Sequence, residues 1–104
     1  MTRILITDDS TFARLALRKL VVELKPDWEV EECSSPTEAL ARMQEGGIDA
    51  VLIDYHMPQM NGLALAANLI KTYEGLEVAL VTANQREKIK DQSQKRVSTT
   101  FRNP

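Results

Sequence analysis

Short, nearly continuous apolar runs alternate along the chain with longer stretches in which apolar residues return every three or four positions. The first run, "RILIT" (3–7), is β-branched and bounded at once by "DDS", so it reads as a buried strand handing over to a helix with Ser10 or Asp9 as N-cap. In that helix Ala13, Leu17, Leu20, Val21 and Leu24 share one apolar face, and Lys25-Pro26 ends it. "WEVEEC" (28–33) alternates, with Trp28 and Val30 on one side, and its glutamates suit the edge of a sheet. "SPTE" (35–38) supplies a Ser cap, a Pro in the first turn and a Glu three residues past the cap, a capping box, and the helix runs to Gly46-Gly47. "DAVLID" (49–54) is apolar enough for a central strand. "GLALAANLIKTY" (62–73) turns Leu65, Ala66, Leu69, Ile70 and Tyr73 inward as a helix, and "VALVT" (78–82) is a fourth buried strand.

Strand and helix therefore alternate, which predicts parallel strands joined by right-handed crossovers in a three-layer α/β sandwich. A chain of 104 residues makes one domain, and 43% hydrophobic with 27% charged residues is ordinary globular composition. The charge is unevenly spread: residues 1–83 hold seven Lys/Arg against thirteen Asp/Glu, and residues 84–104 hold six against two. An acidic body with a short basic tail argues against nucleic acid as the main partner. The single cysteine, Cys33, excludes an internal disulfide, fits a reducing compartment and reads as a small packed residue. With no basic-then-apolar leader and no apolar run near the roughly 20 residues that span a bilayer, the expectation is a cytoplasmic protein.

Candidate chemistry lies where the apolar runs stop. In an open parallel sheet, ligands sit beyond the carboxyl ends of the strands, at the point where strand order reverses. Three of the strands deliver polar residues to that edge: Asp8 and Asp9 after the first, Asp54 at the end of the third, Thr82 at the end of the fourth. Neighbouring carboxylates repel and stay ionised only beside a counter-charge. A Mg²⁺ ion suits such a set, because it takes a few carboxylates and keeps waters for phosphate oxygens. Asp54 would then be placed to take a phosphoryl group as an acyl phosphate, with the Thr82 hydroxyl donating to the phosphoryl oxygens.

The strings "ILITDDS" (4–10), "VLIDYHMPQMNG" (51–62) and "VALVTAN" (78–84) stand in the order and spacing of the response-regulator receiver domain of two-component signalling, and the chain resembles its single-domain chemotaxis type. The likeness is clear over residues 1–84 and weak over 85–104. It implies a flavodoxin-like, doubly wound parallel sheet of order 2-1-3-4-5. It implies that Asp54 is the phosphoacceptor, that Asp8 and Asp9 are the acidic pair that helps bind Mg²⁺, and that the main-chain carbonyl of His56 is a further metal ligand. Thr82 matches the hydroxyl that follows the phosphoryl group on switching, Ala83 the small residue that leaves it room, and His56 and Asn84 two positions that tune dephosphorylation.

The C-terminal part departs from that pattern. "NQREKIKDQSQKR" (84–96) holds one aliphatic residue, Ile89, where the family has an amphipathic helix, and "VSTTF" (97–101) is a weak, polar fifth strand. Asn103-Pro104 stands where the family has Lys-Pro, and a neutral amide cannot supply the lysine's charge. Thr100 occupies the place of the switch aromatic, with Phe101 one residue off. The sequence stops at Pro104, before a fifth helix, so the face beside the first helix would be partly bare; Phe12, Leu15, Ala16 and Val22 widen its apolar surface. The expected function is a signalling domain rather than an enzyme, phosphorylated by a sensor histidine kinase and acting on a downstream protein effector. The alternative is a degenerate receiver that serves as a self-association module, a homodimer through the bare face. A phosphatase of the haloacid-dehalogenase type would need a second Asp where His56 stands, and a dinucleotide binder would need glycines that "TDDSTFAR" lacks.

Overall fold

The computed structural model describes residues 1–54, 62–82 and 96–102. Its elements follow in the order β1 (Arg3–Thr7), α1 (Thr11–Leu24), β2 (Glu29–Cys33), α2 (Pro36–Gln44), β3 (Ala50–Asp54), α3 (Gly62–Thr72), β4 (Glu77–Thr82) and β5 (Arg96–Arg102). They build one five-stranded sheet of order β2-β1-β3-β4-β5. The first four strands are parallel, with Ile6 opposite both Glu32 and Leu52, and Asp54 opposite Val81. The order reverses between β1 and β3, and that crevice is where the chemistry-bearing residues fall.

The local signals act through identifiable bonds. Ser10, not Asp9, caps α1: its Oγ accepts from the Ala13 amide at 3.1 Å. At α2 the Ser35 Oγ accepts from the Glu38 amide at 3.1 Å, while the Glu38 carboxylate reaches one residue further back than in the usual reciprocal pair, to the Ser34 amide at 2.8 Å. Gly46 and Gly47 follow α2 with φ of +81° and +88°, a region that costs a side-chain-bearing residue steric strain. The chain can therefore turn sharply into β3.

Two apolar layers sandwich the sheet. On one face Leu5, Val51, Ile53, Val78 and Leu80 pack against Ala39 and Met43 of α2 and Leu65, Ala66 and Leu69 of α3. On the other, Ile4, Ile6, Ala50, Leu52 and Val81 meet Leu17 and Val21 of α1. The stripe expected on α1 is only half used, since Leu20 and Leu24 are exposed along with Phe12, Leu15 and Val22. The helix lies on one line of contact, and Leu20 and Leu24 lie to one side of it, where no other described element covers them.

The parallel sheet expected from the sequence holds over β1–β4, and the weak fifth strand runs antiparallel to β4. A parallel return needs a crossover of a dozen or more residues that packs on the sheet, and the stretch between the two strands has Ile89 as its one large aliphatic residue. An antiparallel strand needs no such packing. Thr100 stands opposite Ala79 and Phe101 opposite Val78, and the register slips between Leu80 and Val81, as at a bulge.

β2 is an edge strand, and its glutamates are clasped by arginines from several elements. Arg3 pairs with Glu29, Arg42 with Glu31, and Arg14 and Arg18 with Glu32. The Arg42 hydrogen bond holds the Glu31 carboxyl below its usual range, and the Arg18 bond, with help from Arg14, does the same for Glu32. A depressed folded-state pKa adds stability that is fully present above the unfolded value, about 4.3, and is lost as pH falls through the folded value. Solvent screening limits each pair to about 0.2–1 kcal/mol. Urea titrations should show wild type above a Glu31→Gln/Glu32→Gln variant from about pH 5 upward, with the gap closing toward pH 3. A gap that widened with acid would contradict this assignment.

Candidate functional site

β1 and β3 lie side by side, with Thr7 opposite Ile53, so the residues that follow them emerge together at the carboxyl edge. Those residues are Asp8, Asp9 and Asp54, and each offers a carboxylate oxygen within 4.8 Å of the others. Asp8 is fully buried, Asp54 is 6% exposed, and Asp9 is open to solvent. Thr82 ends β4 one residue beyond Val81, the partner of Asp54, and so belongs to the same edge.

The segment that carries Asp8 is fixed at several points. Its amide donates to the Cys33 carbonyl at 3.2 Å, extending the β1–β2 ladder past the last strand residue. One carboxylate oxygen accepts from the Ser10 amide at 2.9 Å, the local bond by which an aspartate shapes a turn. The carbonyl accepts from Arg14 Nη1 at 2.7 Å. Ser10 in turn caps α1, so the acidic pair sits in a turn locked to both a strand and a helix.

Cys33 lies behind this turn and is not part of the chemistry. Its Sγ is 3.2 Å from the Thr7 hydroxyl, and burial pushes its thiol pKa up, so it is a packed, poorly nucleophilic group. An open cleft of about 540 Å³ at the opposite end of the sheet, lined by Gly46, Gly47, Asp49, Tyr73 and Gly75, is remote from the three carboxylates.

The donor set fits a small hard cation. Three carboxylate oxygens from two chain segments converge, two from buried side chains and one from an exposed one, so an ion there would keep a solvent-facing side. Mg²⁺ prefers oxygen ligands and retains several waters, which suits a site open on one side. Of the residues singled out from the sequence, Asp8, Asp9 and Asp54 are brought together and Thr82 reaches the same edge. His56, Ala83, Asn84 and Asn103 lie outside the described residues. Sequence reasoning missed Arg14, which sits four residues after the cap, because nothing in the pattern of charges shows that its guanidinium returns to the Asp8 carbonyl.

No helix among the described residues is long and apolar enough to cross a membrane. A family model, the response regulator receiver domain, matches residues 4–98. The cyclic di-GMP phosphodiesterase response regulator RpfG of Xanthomonas campestris is 33% identical over 81 residues, 76% of this chain and 21% of that protein. The glycerol metabolism activator of Pseudomonas putida is 32% identical over 90 residues, 86% of this chain and 41% of its own length. The chain thus spans well under half of these relatives. Among solved structures, the response regulator TrrA of Thermotoga maritima in complex with Mg²⁺ and BeF aligns with a TM-score of 0.74 at 29% identity, over 86% of this chain and 76% of that one. A chain from the complex of the histidine kinase ThkA with TrrA aligns at 0.71 and 31% identity, over 80% and 70%. With the carboxylate trio at the strand ends and a family match over nearly its whole length, this chain belongs to the response regulator receiver domains of two-component signalling.

Proposed function

We propose that the chain is a phosphoacceptor in which Asp54 takes a phosphoryl group from a sensor histidine kinase or a small phosphodonor. The observation that carries this reading is the convergence of three carboxylate oxygens within 4.8 Å at the crevice between β1 and β3. An Asp54 oxygen attacks phosphorus, an O–P bond forms, and the bond from phosphorus to the donor's nitrogen or oxygen breaks, the electron pair leaving with the donor. Mg²⁺, held by Asp8, Asp9, Asp54 and the His56 carbonyl, would neutralise the charge gathered on the phosphoryl oxygens. Thr82 supplies a hydroxyl donor to those oxygens. The Mg²⁺ and BeF complex of TrrA and its complex with a kinase support both the metal and the partner by relationship.

In this reading the domain is a cytoplasmic switch and not a turnover enzyme, and it acts on a protein effector. Incubation with acetyl phosphate and Mg²⁺, followed by intact mass, should add one phosphoryl group to wild type and none to Asp54→Ala. Equal addition to both would sink the assignment of Asp54.

A second reading is favoured by one observation. Phe12 is 82% exposed and Leu24 66%, and Leu15, Leu20 and Val22 are also exposed along α1. Monomeric proteins seldom leave so much large apolar surface open. The chain would then also assemble as a homodimer through that face, with or without phosphorylation. Sedimentation showing only monomer at tens of micromolar, before and after acetyl phosphate, would exclude it.

A further inference from the structure

We propose that Arg14 is a positioning residue for the acidic pair, holding the peptide plane between Asp8 and Asp9 so that both carboxylates face one ion. This rests on the reading of Asp8, Asp9 and Asp54 as a Mg²⁺ site. Arg14 is largely buried, its side chain 15% exposed, and it spends its planar fork on three different segments. Nη1 donates to the Asp8 carbonyl at 2.7 Å, Nε to Glu32 of β2 at 3.2 Å, and Nη2 to the Thr11 hydroxyl in the first turn of α1 at 3.3 Å.

The Asp8 carbonyl belongs to the rigid peptide unit whose other end is the Asp9 nitrogen. Fixing that oxygen fixes the orientation from which the Asp9 backbone departs. Asp9 is the exposed member of the trio, so its placement gets no help from burial. Asp8 is also anchored by the Cys33 carbonyl and the Ser10 amide, and Arg14 adds a hold on its carbonyl oxygen. A guanidinium suits the task because its donors point in fixed directions, whereas a lysine offers one point charge on a flexible stem.

The bland account is that Arg14 only clasps α1 to β2. Arg18 provides the control for it within the same helix. It also pairs with Glu32, and it also donates to a carbonyl, that of Val30 at 3.2 Å, but it does not touch the acidic turn. A clasp alone would make the two arginines equivalent with respect to metal.

Calorimetric titration with Mg²⁺ alone, at a temperature where urea curves show every variant folded, separates the two accounts. Arg14→Ala should weaken Mg²⁺ binding by about tenfold or more, the usual effect of losing a group that orients a ligand. Arg14→Lys should fall between it and wild type, and Arg18→Ala should stay within about twofold of wild type by the same comparison. Equal affinity in Arg14→Ala and wild type would overturn the inference while leaving the metal site standing, and so would equal losses in the two arginine variants. Wild type that binds no Mg²⁺ would overturn the metal site itself and this inference with it. Should Arg14→Ala not fold, Arg14→Lys against Arg18→Lys carries the same comparison.

Discussion

Replacing Asp54 by asparagine is expected to abolish phosphoryl uptake and, without Mg²⁺, to stabilise the protein by about 1–3 kcal/mol. The change keeps the shape of the side chain and one acceptor oxygen but removes a charge from a set whose oxygens lie within 4.8 Å of one another. At that spacing two carboxylates repel by roughly 3–4 kcal/mol at an effective dielectric of about 20, and the exposure of Asp9 reduces its share by screening. Sites that gather like charge for function are held against stability, so relieving one charge should raise it. Urea denaturation in EDTA and again in millimolar Mg²⁺ reads the effect. Wild type should gain on adding the ion, because anything that binds only the folded state stabilises by mass action, and the variant should gain less. A variant less stable than wild type in EDTA would mean that Asp54's own contacts outweigh the repulsion.

The site was more legible in the sequence than the edges of the fold, and the reason is physical. A buried strand that runs into a charge violates the burial pattern: "RILIT" leads straight to Asp8 and "DAVLID" ends on Asp54, and because the two strands are parallel neighbours the two violations meet. Pattern served less well where it identifies an apolar face without showing what lies against it. Leu17 and Leu20 are read alike from spacing, yet one is 2% exposed and the other 39%. The direction of β5 was beyond reach for a related reason, since "VSTTF" pairs equally well with either direction of neighbour and only the polarity of the preceding stretch weighs against a crossover. The arginine clasps on β2 were hidden too, because three glutamates on one strand look like a solvated edge until Arg3, Arg42, Arg14 and Arg18 are placed around them.

That difference between an apolar face and a packed one sets the second large effect. Leu69→Ala should cost about 2–5 kcal/mol, while Leu24→Ala should cost under about 0.5 kcal/mol, although both lie on the apolar stripe of a helix. Leu69 is fully buried, in the cluster that joins α3 to α2 and to the sheet, so truncation removes apolar contacts and leaves a cavity that the surrounding strands cannot close. Leu24 is 66% exposed at the end of α1 and touches little that could be lost. For a chain this size, whose total stability is on the order of 5–15 kcal/mol, the first change removes a large fraction and the second almost none. Urea curves at micromolar and at hundred-micromolar protein extend the comparison to assembly. In a monomer the small cost of Leu24→Ala is the same at both concentrations. If copies associate through α1, wild type becomes more stable with concentration and Leu24→Ala does not follow it, whereas Leu69→Ala is offset from wild type by a similar amount throughout. A Leu24→Ala cost of several kcal/mol at the lower concentration would instead mean that α1 packs against part of its own chain.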